Sequence, residues 1–534
     1  MSTAASRIAA LLAVMVLAAG LRVALLDRQG LWADELFSLA IATGHSLEHP
    51  AAVADPARGD YVEAPTPLPA AAYRRYLEHE NPPAGFSRII RALRLSDTSP
   101  PLYYLLLSGW TRQLGTSDAV LRLFSALWGL ATVPVLWLIA RRVGGEPAAL
   151  PAALLFAINP LGLYYSVGAR MYSMVMFLAA SLIALTLRLG DRPLKPWPLT
   201  VWTLVSAAAL LTHYFTVFVW VACLVWLAMR WRQIRWAWII GAVLVTGLLV
   251  LPWYVVVPES LRQWRVTRDW LYTPLGFRAL VAPFEMALRF VSGRGPWGSS
   301  IRSQWLAGLT FAPVGVALVL AFRRRLFSEG RGLVLLCVVA ACVGPVVFDL
   351  LRGTSTALRP RYALAGLPGM LVLAAVGLAR IRLAGRVALL LVIALAWSSG
   401  VRAILRLEGR DLEPYREIAV SLSKTMSPRD LILVHSIPSG VLGIARYAEG
   451  STMIASWVGQ LGQRRVPADV EAFTEGREKV VLVRIHEIGA PAPEESWLRD
   501  HARLVGESHR GYARLSVFEP RSGERFVWSA AARR

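Results

Sequence analysis

Two adjacent carboxylates, Asp34 and Glu35, stand in Leu31-Trp32-Ala33-Asp34-Glu35-Leu36-Phe37-Ser38, directly after the first apolar run. Acids in the company of Trp and Phe have two readings. One is a solvated helix start, with negative charge at the positive end of the helix dipole. The other is a general base whose apolar neighbours raise its pKa toward the useful range. Three arginines offer a second chemistry: Arg170 in Tyr164-Tyr165-Ser166-Val167-Gly168-Ala169-Arg170-Met171-Tyr172, and Arg359 and Arg361 in Leu358-Arg359-Pro360-Arg361-Tyr362. They stand at boundaries of apolar runs where short external loops are depleted of Arg. Each can snorkel to lipid phosphates. Converged, their guanidinium forks match phosphoryl oxygens bidentately and make a clamp for a phosphate or pyrophosphate. His213 and Tyr214, in Leu211-Thr212-His213-Tyr214-Phe215, close another apolar run, where a His is either a packed, hydrogen-bonded residue or a further substrate contact.

The elements that must position these residues are membrane helices. The chain has 534 residues, 55% hydrophobic and only 17% charged, with a net charge of +22. Soluble domains carry about 25% charged residues, and disordered or collagen-like chains carry far fewer apolar ones, which leaves a polytopic membrane protein. Runs of roughly 20 mostly apolar residues, the length a spanning helix needs, recur near 7–26, 119–140, 147–166, 172–188, 198–214, 215–229, 236–254, 304–322, 332–350, 363–379 and 387–403. Every second linker is basic: Arg141 and Arg142; Arg188, Arg192 and Lys195; Arg230, Arg232 and Arg235; Arg323, Arg324, Arg325 and Arg331; Arg380, Arg382 and Arg386. Under the positive-inside rule these linkers are cytoplasmic, giving about eleven spans with the N-terminus inside and the C-terminus outside. Pro100–Leu114 is apolar but too short to span, and counting it would invert every later loop, so it is read as a helix along the outer surface.

Three parts are then external: a loop over 27–118 with a Pro-rich middle, a loop over 255–303 carrying Trp264, Arg265, Arg268, Asp269 and Trp270, and a tail over 405–534. The loop at 255–303 has the mixed aromatic and basic pattern of an interfacial segment. In the tail, Asp430–His435 and Lys479–Ile485 read as buried strands, Val441–Ala448 as a helix and Gly511–Phe518 as an edge strand, a small α/β domain. The fold class is thus a polytopic α-helical membrane domain over 1–404, with external juxtamembrane helices, followed by an extracytoplasmic α/β domain. No glycine-rich loop suggests a nucleotide. The cysteines Cys223, Cys337 and Cys342 all fall in apolar runs and suggest neither a disulfide framework nor zinc. The basic charge needs no nucleic acid, because the cytoplasmic linkers account for most of it against anionic lipid headgroups.

An ordered series of motifs resembles the C-type glycosyltransferases, in the bacterial branch related to protein O-mannosyltransferases and to the aminoarabinose transferase of lipid A. The series runs Asp34-Glu35, then Ser99-Pro100-Pro101-Leu102-Tyr103-Tyr104, then Arg122-Leu123-Phe124-Ser125-Ala126, then Asn159-Pro160 through Tyr164-Tyr165-Ser166 to Ala169-Arg170-Met171-Tyr172, then Thr212-His213-Tyr214-Phe215, then Arg361-Tyr362 with Leu367-Pro368. The resemblance implies inverting transfer of a sugar from a polyprenyl-phosphate carrier to an acceptor glycan, lipid or protein at the outer face of the bacterial cytoplasmic membrane. It implies Asp34 as the base with Glu35 in support, and Arg170, Arg359 and Arg361 at the donor phosphate. Ser99, Tyr103, Tyr172, His213, Tyr214 and Tyr362 are the further substrate-site candidates. Two positions depart from the family: Val167-Gly168 stand where relatives read Gln-Glu, and Ser99 stands where His is common before the Pro-Pro pair. Both bear on donor identity and on activity. Some superfamily members use a divalent metal with several acidic ligands, but Tyr164–Tyr172 holds no acid, so neither a metal nor another cofactor is expected. The competing readings are a transporter or flippase of lipid-linked sugars and a noncatalytic relative; the polar residues cluster at span ends rather than at mid-membrane depth, and no internal repeat is present.

Overall fold

The computed structural model describes residues 4–49, 54–190, 196–230, 235–263, 271–295, 301–322, 329–406, 413–461, 464–485 and 492–528. The expected interfacial residues Trp264, Arg265, Arg268, Asp269 and Trp270 lie outside the described residues, as do Arg192, Lys195, Arg232 and Arg323 to Arg325. The chain divides into two units. One comprises Met1–Leu26, Ser99–Tyr103 and Leu121–Gly409, the other Asp27–Thr98, Tyr104–Val120 and Arg410–Arg534. Residues 27–98 and 104–120, which the sequence reading leaves with the membrane domain, therefore share a unit with the tail.

The first unit is a multi-pass bundle. Among the described residues six helices are long and apolar enough to cross a membrane, Ala4–Val23, Asp118–Gly144, Tyr172–Leu189, Trp236–Ser260, Gly330–Arg352 and Leu383–Leu405, and a bent pair, Glu146–Ile158 with Pro160–Ser166, makes a seventh. The other four expected spans fall on shorter apolar helices, Pro196–Leu210, Thr216–Ala228, Gly308–Leu320 and Leu364–Leu378. Length and composition thus qualify fewer spans than eleven. Leu244, Leu248 and Leu251 on the helix from Trp236 are more than half exposed. In water each such side chain would forgo about 1.5–3 kcal/mol of burial, whereas hydrocarbon exacts no such penalty.

Two breaks in the bundle have identifiable causes. At Asn159-Pro160 the chain bends by 60°. Pro160 has no N–H to continue the ladder, and the Asn159 side chain caps the new helix by accepting from the Gly162 N–H at 2.9 Å. At Thr212–Phe215 the Thr216 hydroxyl donates to Ala209 O at 2.8 Å and to His213 O at 2.6 Å, closing a turn between two apolar helices. In the segment after 255, the helix Arg278–Ser292 leaves Leu280, Val281, Phe284 and Leu288 exposed at helical spacing while burying Met286 and Phe290. That is an amphipathic helix with an apolar outer face.

The second unit is built on a six-stranded sheet in the order β1-β3-β2-β4-β6-β5. The strands are β1 (Leu68–Pro69), β2 (Leu431–His435), β3 (Met453–Trp457), β4 (Val480–Arg484), β5 (Arg503–Arg510) and β6 (Ala513–Glu519). β3, β2 and β4 are parallel and β1, β6 and β5 antiparallel to their neighbours. The expected strands at 430–435 and 479–485 are β2 and β4, and the helix expected at 441–448 is Pro438–Tyr447. The segment expected as an edge strand is β6, which instead lies inside the sheet between β4 and β5. Its alternation reflects burial of one face, and the true edge, β5, is exposed along nearly its whole length, as a charged edge that resists further pairing must be. β1 comes from the Pro-rich middle of the first loop; Pro69 is tolerated because it sits on the opposite edge.

Candidate active site

In the bundle unit the separate motifs meet. The Leu102 N–H donates to Leu211 O at 2.9 Å, which ties the Ser99–Tyr103 segment to the turn that carries His213. The buried Tyr103 hydroxyl lies 2.9 Å from Ser125 Oγ, and that hydroxyl donates to Arg170 O at 3.2 Å, so three motifs share one hydrogen-bonded chain. Ring contacts extend it. Centroids are 5.0 Å apart for Tyr164 and Tyr165, 5.2 Å for Tyr165 and Tyr172, 6.4 Å for Tyr172 and His213, and 6.1 Å for His213 and Tyr362. The first two pairs meet edge to face and the last two are tilted. The result is a continuous seam from Tyr164 to Tyr362.

Two guanidinium groups approach this seam. Arg361 lies within electrostatic reach of the Tyr165 hydroxyl, as does Arg289, while Arg170 is buried two positions before Tyr172. Arg359 is exposed at the head of the turn Pro360–Tyr362. Tyr214 points elsewhere: its hydroxyl accepts from Trp253 Nε1 at 3.1 Å and its ring packs on Tyr254. Ser99 is half-buried just ahead of the Pro-Pro pair.

Two residues were missed from sequence. Arg289 also reaches Tyr165 electrostatically and donates to Leu358 O at 3.3 Å, and its bond to Glu285 Oε1 measures 2.7 Å. Its amphipathic spacing was the available signal. Asp349, buried near the end of its helix, accepts from Thr354 Oγ1, Thr356 N, Thr356 Oγ1 and Ala357 N at 2.5, 2.9, 2.7 and 2.7 Å. That satisfies both carboxylate oxygens and fixes the turn leading into Arg359. Nothing in the local sequence distinguished it from any other acid at a helix end.

The acids lie in the other unit. The helix Ala33–Thr43 starts after Trp32, and Glu35 Oε2 accepts from the Trp32 N–H at 3.3 Å. This is the reciprocal half of a capping box and explains why Glu35 is buried. Asp34 is half-buried in the first turn. The side chain of Glu48 is buried, and burial, then the charges of Asp97 and Asp34, push its carboxyl well above the usual carboxylate range. Glu48 therefore stays neutral beside two acids. Asp97 accepts a short hydrogen bond from the Tyr104 hydroxyl. Among the described residues no three His, Cys, Asp or Glu side chains are grouped so as to hold a metal ion.

Residues 98–255, which contain four of the six motifs, match the model of the family described as dolichyl-phosphate-mannose-protein mannosyltransferase. ArnT from Cupriavidus metallidurans in the apo state superposes with a TM-score of 0.59 at 15% identity, over 97% of this chain and 98% of that one. The chain shares the fold of ArnT. ArnT bound to undecaprenyl phosphate gives 0.58 at 16% identity, over 96% of this chain and 98% of that one. The oligosaccharyltransferase of Archaeoglobus fulgidus, in complex with zinc and sulfate, gives 0.47 at 14% identity, over 89% of this chain and 67% of that one. No curated protein matches the chain.

Proposed function

We propose that this protein is an inverting glycosyltransferase that moves a sugar from a polyprenyl-phosphate donor to an acceptor hydroxyl at the outer face of the cytoplasmic membrane. In this reading the bundle crosses the membrane eleven times with its N-terminus inside, and the second unit is extracytoplasmic. The observation that carries the proposal is the seam: segments far apart in sequence converge on one row of aromatic rings bordered by Arg361 and Arg289. The likeness in fold to ArnT, a protein solved with undecaprenyl phosphate bound, supports the carrier class.

The chemistry needs few groups. The Asp34 carboxylate takes the proton of the acceptor hydroxyl as its oxygen attacks the anomeric carbon. The bond from that carbon to the phosphate oxygen breaks on the opposite face, its electron pair leaves on the polyprenyl phosphate, and configuration inverts. Phosphate is a good leaving group that needs no proton, so Arg170, Arg359 and Arg361 have only to stabilise its charge. The absence of any acid in Tyr164–Tyr172 supports a reaction without a metal; turnover lost to a chelator and restored by manganese would overturn that part.

The test is turnover by purified protein in lipid with a panel of radiolabelled undecaprenyl-phosphate sugars, using water and envelope extract as acceptors. One donor should turn over in wild type and not in Asp34→Asn. Full transfer by Asp34→Asn would remove the base assignment, and movement of label across the bilayer with no glycoside formed would favour a transporter.

A further inference from the structure

The acid-bearing helix is held from far away in sequence. Three consecutive backbone N–H groups lead into it, those of Leu31, Trp32 and Ala33, and a helix N-terminus leaves such donors without intrahelical partners. Trp32 is served by Glu35, but the other two are served by the tail. The Ala33 N–H donates to Glu413 Oε2 at 2.6 Å, and the Leu31 N–H donates to the Tyr447 hydroxyl at 2.6 Å. Tyr447 in turn donates to Asp118 Oδ2 at 2.5 Å.

Asp118 is a buried hub. It also accepts from Arg416 at 2.7 Å and from Arg446 Nη2 at 2.8 Å. Arg416 reaches back to Asp27, donating to its carbonyl at 3.1 Å and to its carboxylate at 2.8 Å. Between these contacts Gly30 passes so close to the tail that an added Cβ would lie 2.8 Å from Arg416 Cβ, so only glycine fits. Residues 27–33 are thus fastened at Asp27, Leu31 and Ala33, immediately before Asp34. All of these residues belong to one unit.

We propose that Glu413 and Tyr447, the latter braced by Asp118, are positioning residues that set the first turn of the Asp34 helix, so that the tail serves turnover by holding the base rather than by choosing the acceptor. A base misplaced by about 1 Å loses much of its rate advantage. The proposal rests on the reading of Asp34 as the base, and the experiment separates the two. Full-length protein in lipid nanodiscs is compared as wild type, Tyr447→Phe, Glu413→Ala, Glu413→Gln and Asp34→Asn. Two quantities are measured: amide hydrogen exchange over 27–44 and steady-state turnover of the radiolabelled undecaprenyl-phosphate sugar panel.

Tyr447→Phe and Glu413→Ala should each speed exchange at Leu31 to Asp34 by about tenfold or more without changing exchange in β2 and β4. They should lower kcat by about tenfold with donor KM within about twofold. Glu413→Gln, which keeps an acceptor oxygen, should stay near wild type in both. Unchanged exchange over 27–44 in both disruptive variants, or faster exchange with unchanged kcat, would overturn the brace. Full turnover by Asp34→Asn would instead remove the base reading and with it the catalytic purpose of the brace, while the exchange data still report whether the brace exists.

Discussion

The bundle unit and the sheet-bearing unit each hold part of the proposed chemistry, and they hold it by different means. In the bundle, the candidate residues sit at the ends of apolar helices and are joined by ring contacts and a short hydroxyl chain, Tyr103 to Ser125 to Arg170. In the other unit, the start of the Asp34 helix is held by groups hundreds of positions downstream, Glu413 and Tyr447, the latter bonded to Asp118. Helix ends in a bilayer have little freedom, because backbone groups must stay paired and lipid offers no partners. The eleven-residue Asp34 helix is too short to hold itself and is fastened by side chains. The donor side is accordingly expected to tolerate single losses better than the acid side.

The largest effect tests that expectation directly. Asp34→Asn should lower turnover by about 10²–10⁴-fold, the usual worth of a general base, with undecaprenyl phosphate binding little changed. Measured affinity that fell as far as the rate would make Asp34 a binding residue and erase the contrast. Next, Arg361→Ala and Arg170→Ala should each weaken undecaprenyl phosphate binding by about tenfold to a hundredfold, since a hydrogen bond to a charged group contributes about 1.5–3 kcal/mol. Calorimetry or a thermal-shift titration with that lipid reads this, and a loss confined to kcat would point away from ground-state phosphate contact.

Asp349→Ala removes the acceptor for two buried backbone N–H groups, Thr356 and Ala357, each costing about 1–3 kcal/mol when orphaned. A lower melting temperature with weakened lipid binding is expected; unaltered lipid binding would show that the turn does not govern Arg359 and Arg361. The smallest effect concerns Glu48. Its raised carboxyl contributes stability that is complete below the ordinary value of 4.5 and is lost as pH rises through the folded value. Glu48→Gln, neutral at every pH, should melt with wild type in acid and above it at neutral pH. A gap that widened toward acid would reverse the sign and refute a neutral Glu48.

Much of the bundle was legible in the sequence because apolar runs and basic linkers are local signals. Each expected span falls on a helix or a helix pair, although several are shorter than a bilayer requires by themselves. Tyr172, His213 and Tyr362 were recognisable as candidates from their motifs, and the structure puts their rings in contact. Arg289 escaped notice because a lone Arg on an amphipathic helix looks like any other in an Arg-rich chain. Glu35 looked equivalent to its neighbour Asp34, yet helix geometry gives the third position the reach to cap the Trp32 N–H. Tyr214 shares a motif with His213 but faces Trp253, since adjacent residues in a turn point to different neighbours.

Sequence alone determined that the chain is a multi-pass membrane protein and which helix ends carry polar groups, because hydropathy and charge act over windows of a few turns. Tertiary structure alone decided which of those ends meet, that residues 27–98 share a unit with the tail, and that Glu413 and Tyr447 hold the start of the Asp34 helix. Hydrogen bonds and ring contacts act over a few ångströms, and no local pattern records which distant residues the fold will bring within that range.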